Sequence, residues 1–348
     1  PLESVLETTS EYENITHETR FTSNLDGRLN YTVGFFYGDS EFTRGYPAAL
    51  QPGADAALGA ALGIPAPGTP GIVPGDLIYI TSQPEQVEEL ALFGEITFDL
   101  TDRVALTAGG RWYDTEVSFD SASDGFANGG PSAFSGVQSE SGFNPKVMAS
   151  FDATDDLNFY ASASKGFRIG GVNGQVSPTL CGDELDSVGL DPDSLRTYDS
   201  DSLWSYEVGV KSRLADNRVS LNAAAFFIDW SDSLQVQRLA CGFQVDANVG
   251  DVESKGFEVE LSAAPIEGLT LDMGIGYTDT EVASASGDGF PGYAEGQALH
   301  GVPDWTGTGS AQYIFPAFSG WDARLRADAN YYGESTSFNN GSIVDRDS

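Results

Sequence analysis

The composition of this 348-residue chain excludes several classes of protein. It carries 52 Asp and Glu against 17 Lys and Arg, a formal net charge of −35, so a phosphate backbone would be repelled and nucleic acid is excluded as a partner. Hydrophobic residues make up 40% of the chain and aromatic residues 11%, enough apolar surface to offset the entropy of ordering it. With 41 Gly, 21 Phe, 14 Tyr and only two Met, the composition favours strands and turns. We therefore expect an all-β protein with one architecture over 1–348.

The first half of the chain alternates between apolar and polar residues. In the segment that begins at Leu92, every second residue is apolar or Gly and the opposite row is more polar, which predicts a strand with two different faces. After a short turn at 99–103 the alternation resumes at Val104 and its apolar row ends at Trp112. An aromatic residue at the end of an apolar row is typical of the interface between a membrane and water.

The second half repeats this pattern and lengthens it. Strands predicted from Phe257 and from Leu269 again alternate, and the segment that begins at Trp321 alternates for twelve residues, ending at Tyr332. Strands of soluble sandwiches usually stop after five or six residues, so this length favours a strand that crosses a membrane.

Charged residues recur in the middle of these strands. An Arg or Lys that faced lipid at mid-bilayer would cost about 2–4 kcal/mol, so the charged rows must face a polar lumen. The residues predicted to face that lumen are Glu95, Arg111, Lys146, Glu258, Glu260, Asp272, Arg324 and Arg326.

The connections between strands alternate in length. Short turns are predicted at 25–28, 99–103, 152–156, 214–218, 265–268 and 315–320, and long loops at 45–86, 121–140, 171–202, 231–246 and 284–298. Roughly twelve strands result, with all long loops on one side, as in outer-membrane barrels. Within the first loop, Ala54–Leu62 is predicted to form a short helix.

Four segments of the chain resemble the β-barrel of the TonB-dependent outer-membrane receptor family, in order and at similar spacing. These segments are 17–39, 143–173, 201–232 and 248–281. The second of them contains the sequence KGFRIGG at 165–171. The resemblance implies an antiparallel transmembrane β-barrel with short periplasmic turns and long extracellular loops. We expect about 12 of the family's 22 strands here, an internal part of the barrel without plug domain, TonB box or terminal strands, and with exposed strand edges.

The resemblance also implies a function. Members of this family take up large, scarce solutes across the Gram-negative outer membrane, most often a ferric siderophore. Coupling to the TonB–ExbB–ExbD proteins would pass through the plug, and lipid and lipopolysaccharide would surround the wall. A passive porin-like channel and uptake of a corrinoid or a glycan remain alternatives. No cofactor and no enzymatic activity are expected.

Two cysteines, Cys181 and Cys241, lie in long loops predicted on the same side of the barrel. A disulfide between them would tie the two loops together in an oxidising compartment, and two unpaired thiols are the alternative. The residues predicted to contact ligand are aromatic or charged and lie near the loop side, although such aromatic residues more often belong to the interface or pack the loops. They are Tyr46, Arg168, Trp230, Arg238 and Phe290.

Other chemical motifs are weak. The segment 181–202 holds seven carboxylates, but it lacks the turn Gly and final Glu of a calcium loop, so a solvated acidic loop is favoured. Ser162 and Lys165 match the S-x-x-K motif of β-lactamases, but on a strand this spacing sends the two side chains to opposite faces. His17 and His300 have no companions at metal-ligand spacing, and no metal site is predicted.

Overall fold

A computed structural model describes residues 5–6, 9–61, 74–125, 128, 130–174, 176, 178–188, 195–285, 293–339 and 342–346. The structure is built from strands and two short helices. The strands are β1 (Val5–Leu6), β2 (Thr9–Thr22), β3 (Leu29–Leu50), β4 (Leu77–Asp99), β5 (Val104–Asp124), β6 (Ser132–Thr154), β7 (Leu157–Arg168), β8 (Gly171–Val172), β9 (Thr197–Tyr198), β10 (Asp201–Leu214), β11 (Val219–Ser231), β12 (Leu234–Arg238), β13 (Gln244–Asn248), β14 (Gly250–Ala263), β15 (Leu269–Ala285), β16 (Trp305–Phe318), β17 (Trp321–Tyr332), β18 (Ser335–Asn339) and β19 (Ser342–Arg346).

One antiparallel sheet holds thirteen of these strands. Its order is β1-β3-β4-β5-β6-β7-β10-β11-β14-β15-β16-β17, and β2 also pairs with β3. Because β1 and β2 pair with different parts of the same edge of β3, they occupy one position, and the sheet has twelve positions across. Each strand pairs with its neighbour in the chain once the short loop strands are set aside. The expected meander of about twelve strands is confirmed, and β2 and β17 lie at opposite edges of the sheet.

The two faces of the sheet differ in composition. Cross-strand partners share a face, so the register carries each row from strand to strand. We call inner the face that carries Tyr113 and Gly136, because the loop strand β8 packs against it at Gly136. The outer face carries apolar side chains that are largely exposed, among them Leu92, Val147, Val208 and Leu325. In water these side chains would be costly to expose, and in a bilayer they face acyl chains.

Aromatic residues mark both ends of the apolar outer face. On β16, Trp305 lies at the end nearer the long loops and Phe315 at the end nearer the short turns. Ten residues at about 3.4 Å each, tilted by about 40°, span about 25 Å, the height of the apolar band of a transmembrane barrel. Phe257, Tyr277 and Trp305 pack together at the loop end, with ring centroids 4.9–5.8 Å apart. These residues form part of an interfacial girdle.

The short turns lie where they were predicted, but two long loops are shorter than predicted. Strands β3 and β4 continue to Leu50 and from Leu77, so the first loop covers 51–76 and not 45–86. Strands β5 and β6 continue until Asp124 and from Ser132, and most of the predicted loop 121–140 is a paired hairpin. These segments are rich in Ser, Gly and Asp, a composition that predicts loops. Their backbones nevertheless form paired strands that extend past the membrane-crossing part of the wall.

Both helices lie on the long-loop side. The first, α1 (Ala54–Ala61), agrees with the predicted helix as far as the structure describes it. The Asp76 carboxylate accepts hydrogen bonds from the backbone N–H groups of Gly53 and Asp55 at 2.9 and 3.0 Å, which caps its start. The second, α2 (Pro178–Val188), replaces part of the predicted acidic loop, and Pro178 suits its first position because it lacks an N–H group. Among the described helices, none is long and apolar enough to span a membrane.

The assignment of the two faces predicts how a charge is tolerated on each. Val208 lies on the outer face and is 57% exposed, whereas Ser162 lies on the inner face opposite Glu207. Val208→Arg should destabilise the folded barrel by about 2–4 kcal/mol, because it places a cation in the hydrocarbon region. Ser162→Arg should cost far less, since its guanidinium can pair with Glu207. Denaturant unfolding in lipid vesicles, followed by heat-modifiable migration, measures both. Equal losses for the two variants would contradict the assignment.

Candidate functional site

Two of the long loops fold together into one compact unit on the extracellular side. We call it the loop body; it comprises the described residues between β7 and β10 together with 232–249. Unlike the wall, it has a buried apolar core, with the disulfide at one side and Phe243 packed against it. The residues of this core are Val176, Cys181, Leu185, Leu195, Leu239 and Val245. The site is therefore held by tertiary packing between two loops, not by the barrel wall alone.

Covalent and polar contacts join the two loops at their tips. Cys181 on α2 forms a disulfide with Cys241 at the turn between β12 and β13. One turn further along α2, the carboxylate of Glu184 accepts hydrogen bonds from the backbone N–H groups of Ala240 and Cys241 at 2.7 and 2.9 Å. A disulfide across 60 residues removes much of the freedom of the unfolded loops. The carboxylate then fixes the turn that carries Cys241.

Two asparagine side chains connect the loops nearer the wall. Asn173 Nδ2 donates to the carbonyl oxygens of Leu195 and Asp246 at 2.8 and 2.7 Å, and its Oδ1 accepts from the backbone N–H of Asp246 at 2.8 Å. Asn248 makes the equivalent pair of contacts with the backbone of Asp199, at 3.0 Å each. Each side-chain amide pairs with backbone N–H and C=O groups as a neighbouring strand would, and the Asn173 contacts are the more buried of the two sets.

An ion pair anchors the loop body to the end of the wall. Asp201, the first residue of β10, is 2% exposed, and its carboxylate binds the Arg168 guanidinium and accepts from the backbone N–H of Leu234 at 2.9 Å. Arg168 also donates to the carbonyl oxygen of Leu234 at 2.6 Å and lies over the Trp230 ring, 4.7 Å from its centroid. Because this pair is charged and hydrogen-bonded, it holds β12 firmly against β7 and β10.

A second set of contacts seats the loop body on the inner face. Glu140 on β6 accepts a hydrogen bond from the Ser200 hydroxyl at 2.5 Å and one from the Tyr113 hydroxyl at 3.2 Å. The Tyr113 ring stacks on Phe167 at 3.6 Å between centroids, at the loop end of β7. Gly136 leaves room for Val172, whose methyl groups would meet a Cβ at 2.8 and 3.2 Å. The loop body thus covers part of the wall's inner surface.

A pocket of about 440 Å³ lies between the loop body and the upper parts of β3, β4 and β5. Its surface is mostly polar, with aromatic rings interspersed, and its charged members are one cation and two carboxylates. The wall contributes Phe42, Arg44, Tyr79, Gln83, Glu85 and Phe119, and the loop body contributes Val172, Asn173, Gly174, Tyr198, Val236, Phe243, Gln244, Val245 and Asp246. Sites for drug-like ligands are usually more apolar than this, so the lining suits a polar solute.

Burial shapes the electrostatics of this pocket. Burial raises the pKa of the Asp246 carboxyl, while Arg168 and Arg44 act in the opposite direction. Burial, and then the charges of Asp246 and Glu85, raise the pKa of the Tyr198 hydroxyl to about 12. Tyr198 therefore remains a neutral hydrogen-bond donor at physiological pH, and Asp246 holds its proton more tightly than a carboxyl in water.

The residues predicted to contact ligand are not brought together. Arg168 and Trp230 lie side by side but serve the anchor, and the Trp230 indole Nε1 is buried without a hydrogen-bond partner within the described part of the chain. Arg238 lies against the side-chain amide of Gln244, its partner in the β12–β13 pair. The side chain of Tyr46 and all of Phe290 lie outside the described residues. Their contact with ligand stays a prediction.

The prediction missed the residues that do meet in the pocket. Arg44 directly precedes the first predicted long loop, Glu85 and Asp246 fall inside predicted long loops, and Tyr198 lies in the acidic segment. One signal could have identified Arg44: β3 continues past Phe42, so Arg44 is the next residue on the inner row of that strand. Nothing in the sequence pattern pairs Asp246 with them, because the β12–β13 hairpin folds back over the wall.

The residues predicted to face the lumen all lie on rows of the inner face. Lys146 and Glu95 both flank Gly109 in the register, and their side chains form an ion pair at 3.0 Å above it. Arg111 binds Glu89 at 2.5 Å. Successive register partners connect Ala105 on β5 to Glu258 on β14, so these two residues lie on the same face of the sheet. The charged residues of β14 to β17 therefore share the inner face with those of β4 to β6. They comprise Glu258, Glu260, Asp272, Arg324 and Arg326.

The wall, its faces and its loops agree with a known family of proteins. A family model described as TonB dependent receptor-like, beta-barrel, matches residues 3–347. The chain belongs to this family. The protein is therefore an outer-membrane β-barrel protein, and the family and its solved neighbours are receptors and transporters. Within the described residues, no group of three or more His, Cys, Asp or Glu side chains could hold a metal ion.

Curated relatives match part of the chain. The metal-pseudopaline receptor CntO of Pseudomonas aeruginosa (strain UCBPP-PA14) is 29% identical over 202 residues, 58% of this chain and 25% of that protein. The pesticin receptor of Yersinia enterocolitica is 26% identical over 224 residues, 62% of this chain and 31% of that protein.

Solved structures match nearly the whole of this chain. The ferric yersiniabactin uptake receptor FyuA from Yersinia pestis gives a TM-score of 0.73 at 17% identity and covers 98% of this chain and 46% of that one. The siderophore receptor PiuA from Acinetobacter baumannii gives 0.67 at 17% identity, covering 97% of this chain and 49% of that one. The chain thus spans about half the length of these structures, and at this identity the likeness shows the fold alone.

The anchor predicts a local loss of protection in the loop body. Asp201→Asn removes the charge that binds Arg168 and weakens acceptance from the Leu234 amide. Hydrogen bonds to charged groups contribute about 1.5–3 kcal/mol, so exchange of the Leu234 amide should accelerate at least about tenfold. Asp229→Asn, which changes an exposed carboxylate on the outer face, should leave that amide unchanged. Hydrogen exchange with mass spectrometry measures both, and unchanged protection in Asp201→Asn would show that the ion pair does not hold the hairpin.

Proposed function

We propose that the chain forms the wall and extracellular loops of a receptor for energy-coupled uptake of a large, scarce solute, and that this solute is a ferric siderophore. The observation that supports this proposal is the pocket between the loop body and the wall, which lies on the extracellular side. A plain channel needs no structured, disulfide-linked unit folded over its lumen. A receptor needs one, because binding requires a surface whose groups are held in place before the ligand arrives.

The relatives support metal complexes as the class of solute. Proteins similar to this chain are a metal-pseudopaline receptor, a ferric yersiniabactin uptake receptor and a pyoverdine receptor. In the pocket, Tyr198 and Gln83 offer hydrogen-bond donors and Arg44 offers a cation, while aromatic rings supply flat apolar surface. Oxygen-rich chelates present acceptors and rings that match such a lining.

Energy coupling and partners belong to the same proposal. Coupling to TonB–ExbB–ExbD would act through a plug domain, and outer-membrane lipid and lipopolysaccharide would cover the outer face. A passive porin-like channel is the rival function, and a corrinoid or a glycan is the rival cargo. The wide, charged inner face is compatible with each of these alternatives and does not separate them. The loop body favours a receptor over a passive channel, and the relatives favour a metal chelate over a corrinoid or a glycan.

Uptake of labelled ferric siderophores by iron-limited cells tests this function. We expect accumulation to require the protein and to stop when a protonophore removes the proton-motive force. Arg44→Gln should lower ligand affinity about tenfold, since it removes the cation of the pocket. Arg20→Gln is the matched control, because Arg20 is also on the inner face but pairs with Glu18 away from the pocket. Uptake that continues after the protonophore would identify a passive channel.

Asp246 predicts how pH acts on the loop body. Because burial raises its pKa, the folded loop body binds the proton more tightly than the unfolded chain, and stability falls as pH rises from about 4 through that pKa. Asp246→Asn should therefore stabilise the loop body at neutral pH, with a difference that shrinks as the pH is lowered. Asp199→Asn, at an exposed carboxylate, is the control. Hydrogen exchange of the β13 amides between pH 4 and pH 8 measures both. A constant difference across that range would refute this origin.

A further inference from the structure

The pocket between the loop body and the wall contains three charged side chains that are not paired with one another. Arg44 forms no ion pair and no hydrogen bond among the described residues, and its guanidinium lies over the Phe42 ring, 5.5 Å from the centroid. The carboxylates of Glu85 and Asp246 accept no hydrogen bond within the part of the chain that the structure describes. Both signs of charge are therefore open to a ligand.

Elsewhere on the inner face opposite charges do pair. The Lys146 ammonium, for example, lies 3.0 Å from the Glu95 carboxylate. Arg44 and Glu85 are diagonal neighbours on the inner rows of β3 and β4, and long side chains can reach each other across such a diagonal. The Arg44 guanidinium nevertheless rests on the ring of Phe42 and leaves Glu85 without a partner. The pocket keeps its opposite charges apart where the rest of the wall joins them.

Both carboxylates are fixed in position by their surroundings. In the register of the sheet, Glu85 is flanked by Phe42 on β3 and Phe119 on β5, and all three line the pocket. Across the pocket, Asn173 holds the backbone of Asp246 by accepting from its N–H at 2.8 Å and donating to its carbonyl oxygen at 2.7 Å. The charged groups are therefore held in place before a ligand arrives, which lowers the entropic cost of binding.

The three charges act on one another through the pocket. Burial raises the pKa of the Glu85 carboxyl, Arg44 lowers it and Asp246 raises it. Arg44 also opposes the effect of burial on Asp246. An anion alone would meet two carboxylates, and a cation alone would meet Arg44, so a solute that carries both signs fits best. Within the described residues, no group of three or more acidic, His or Cys side chains could hold a bare metal ion here.

We infer that this pocket recognises an α-amino-acid group on the solute, with the carboxylate at Arg44 and the ammonium between Glu85 and Asp246. Because Arg44 and Glu85 are diagonal neighbours, the two ligand charges must lie close together, as they do on one α-carbon. The faces of Phe42 and Phe119 suit an ammonium group, since aromatic rings attract cations. The inference rests on the proposed function, because it states which part of the receptor's cargo the pocket binds.

Three fragments test this inference on the unmodified protein. They are L-phenylalanine, which carries both charges, N-acetyl-L-phenylalanine, which carries only the carboxylate, and L-phenylalanine methyl ester, which carries only the ammonium. Phenylalanine should bind about tenfold more tightly than either capped fragment, because each cap removes one charge-assisted contact. Titration by saturation-transfer NMR, with the intact receptor in lipid nanodiscs, measures all three. Equal or tighter binding of a capped fragment, or no binding of phenylalanine at millimolar concentration, would overturn the inference.

Variants assign each half of the site. In Arg44→Gln, phenylalanine should bind no better than its methyl ester, because the carboxylate has lost its partner. In Asp246→Asn, the advantage over N-acetyl-L-phenylalanine should fall about tenfold. Glu41→Gln is the matched control, since Glu41 is an exposed carboxylate on the opposite face of β3, and it should keep both preferences. The same losses in Glu41→Gln would overturn the assignment. Misfolding would weaken all three fragments together, and Glu85→Gln then replaces Asp246→Asn as the test of the ammonium half.

The fragments also separate this inference from the proposed function. Energy-dependent uptake of a ferric siderophore, together with no preference for phenylalanine over its capped forms, would overturn the amino-acid assignment and leave the receptor function intact. A clear preference for phenylalanine without any siderophore uptake would support the assignment, and would replace the ferric siderophore with an amino-acid or peptide solute as the cargo.

Discussion

Backbone hydrogen bonding in a medium without water is the constraint on which this structure depends. Inside hydrocarbon each unpaired N–H or C=O group costs several kcal/mol, so every strand must pair with both neighbours along its membrane-crossing length. The meander from β3 to β16 satisfies this requirement with uninterrupted registers of nine to twenty pairs in most of its ladders. Period-two alternation, the two faces and the positions of the turns all follow from that pairing.

The wall itself has little buried core, and the apolar core of the protein lies elsewhere. Side chains on the outer face are exposed to lipid, whereas the buried apolar clusters lie in the extracellular loops and at the loop ends of the strands. The loop body therefore folds as a small globular unit does, with a core, a disulfide and buried polar contacts. It is joined to the wall by the ion pair of Asp201 with Arg168 and by the contacts of Ser200 with Glu140 and of Val172 with Gly136.

Charge is sorted by face along the middle of the strands, and charged residues of the outer face such as Asp229 and Lys255 lie toward the loop ends of their strands. The inner face holds opposed charges close together, as Glu95 and Lys146 show where Gly109 lets the flanking side chains meet across it. On the outer face Lys165 pairs in register with Trp204 near the loop end of β7. The whole chain has 17 basic residues against 52 acidic ones, so a cation in a pocket is an uncommon feature of this chain. The same sorting places Arg44 in the pocket.

The sequence by itself determined the wall: the approximate number of strands and the side of the long loops, because alternation is local and each strand inherits its two faces from its own pattern. It also suggested Cys181 and Cys241 as partners. Only the tertiary structure decided which loop residues meet. Arg44, Glu85 and Asp246 come from distant segments, and the backbone of the β12–β13 hairpin turns back over the wall through contacts that have no period in the sequence. Side chains in loops are brought together by packing and by capping carboxylates such as Glu184, and such contacts exist only once the chain has folded.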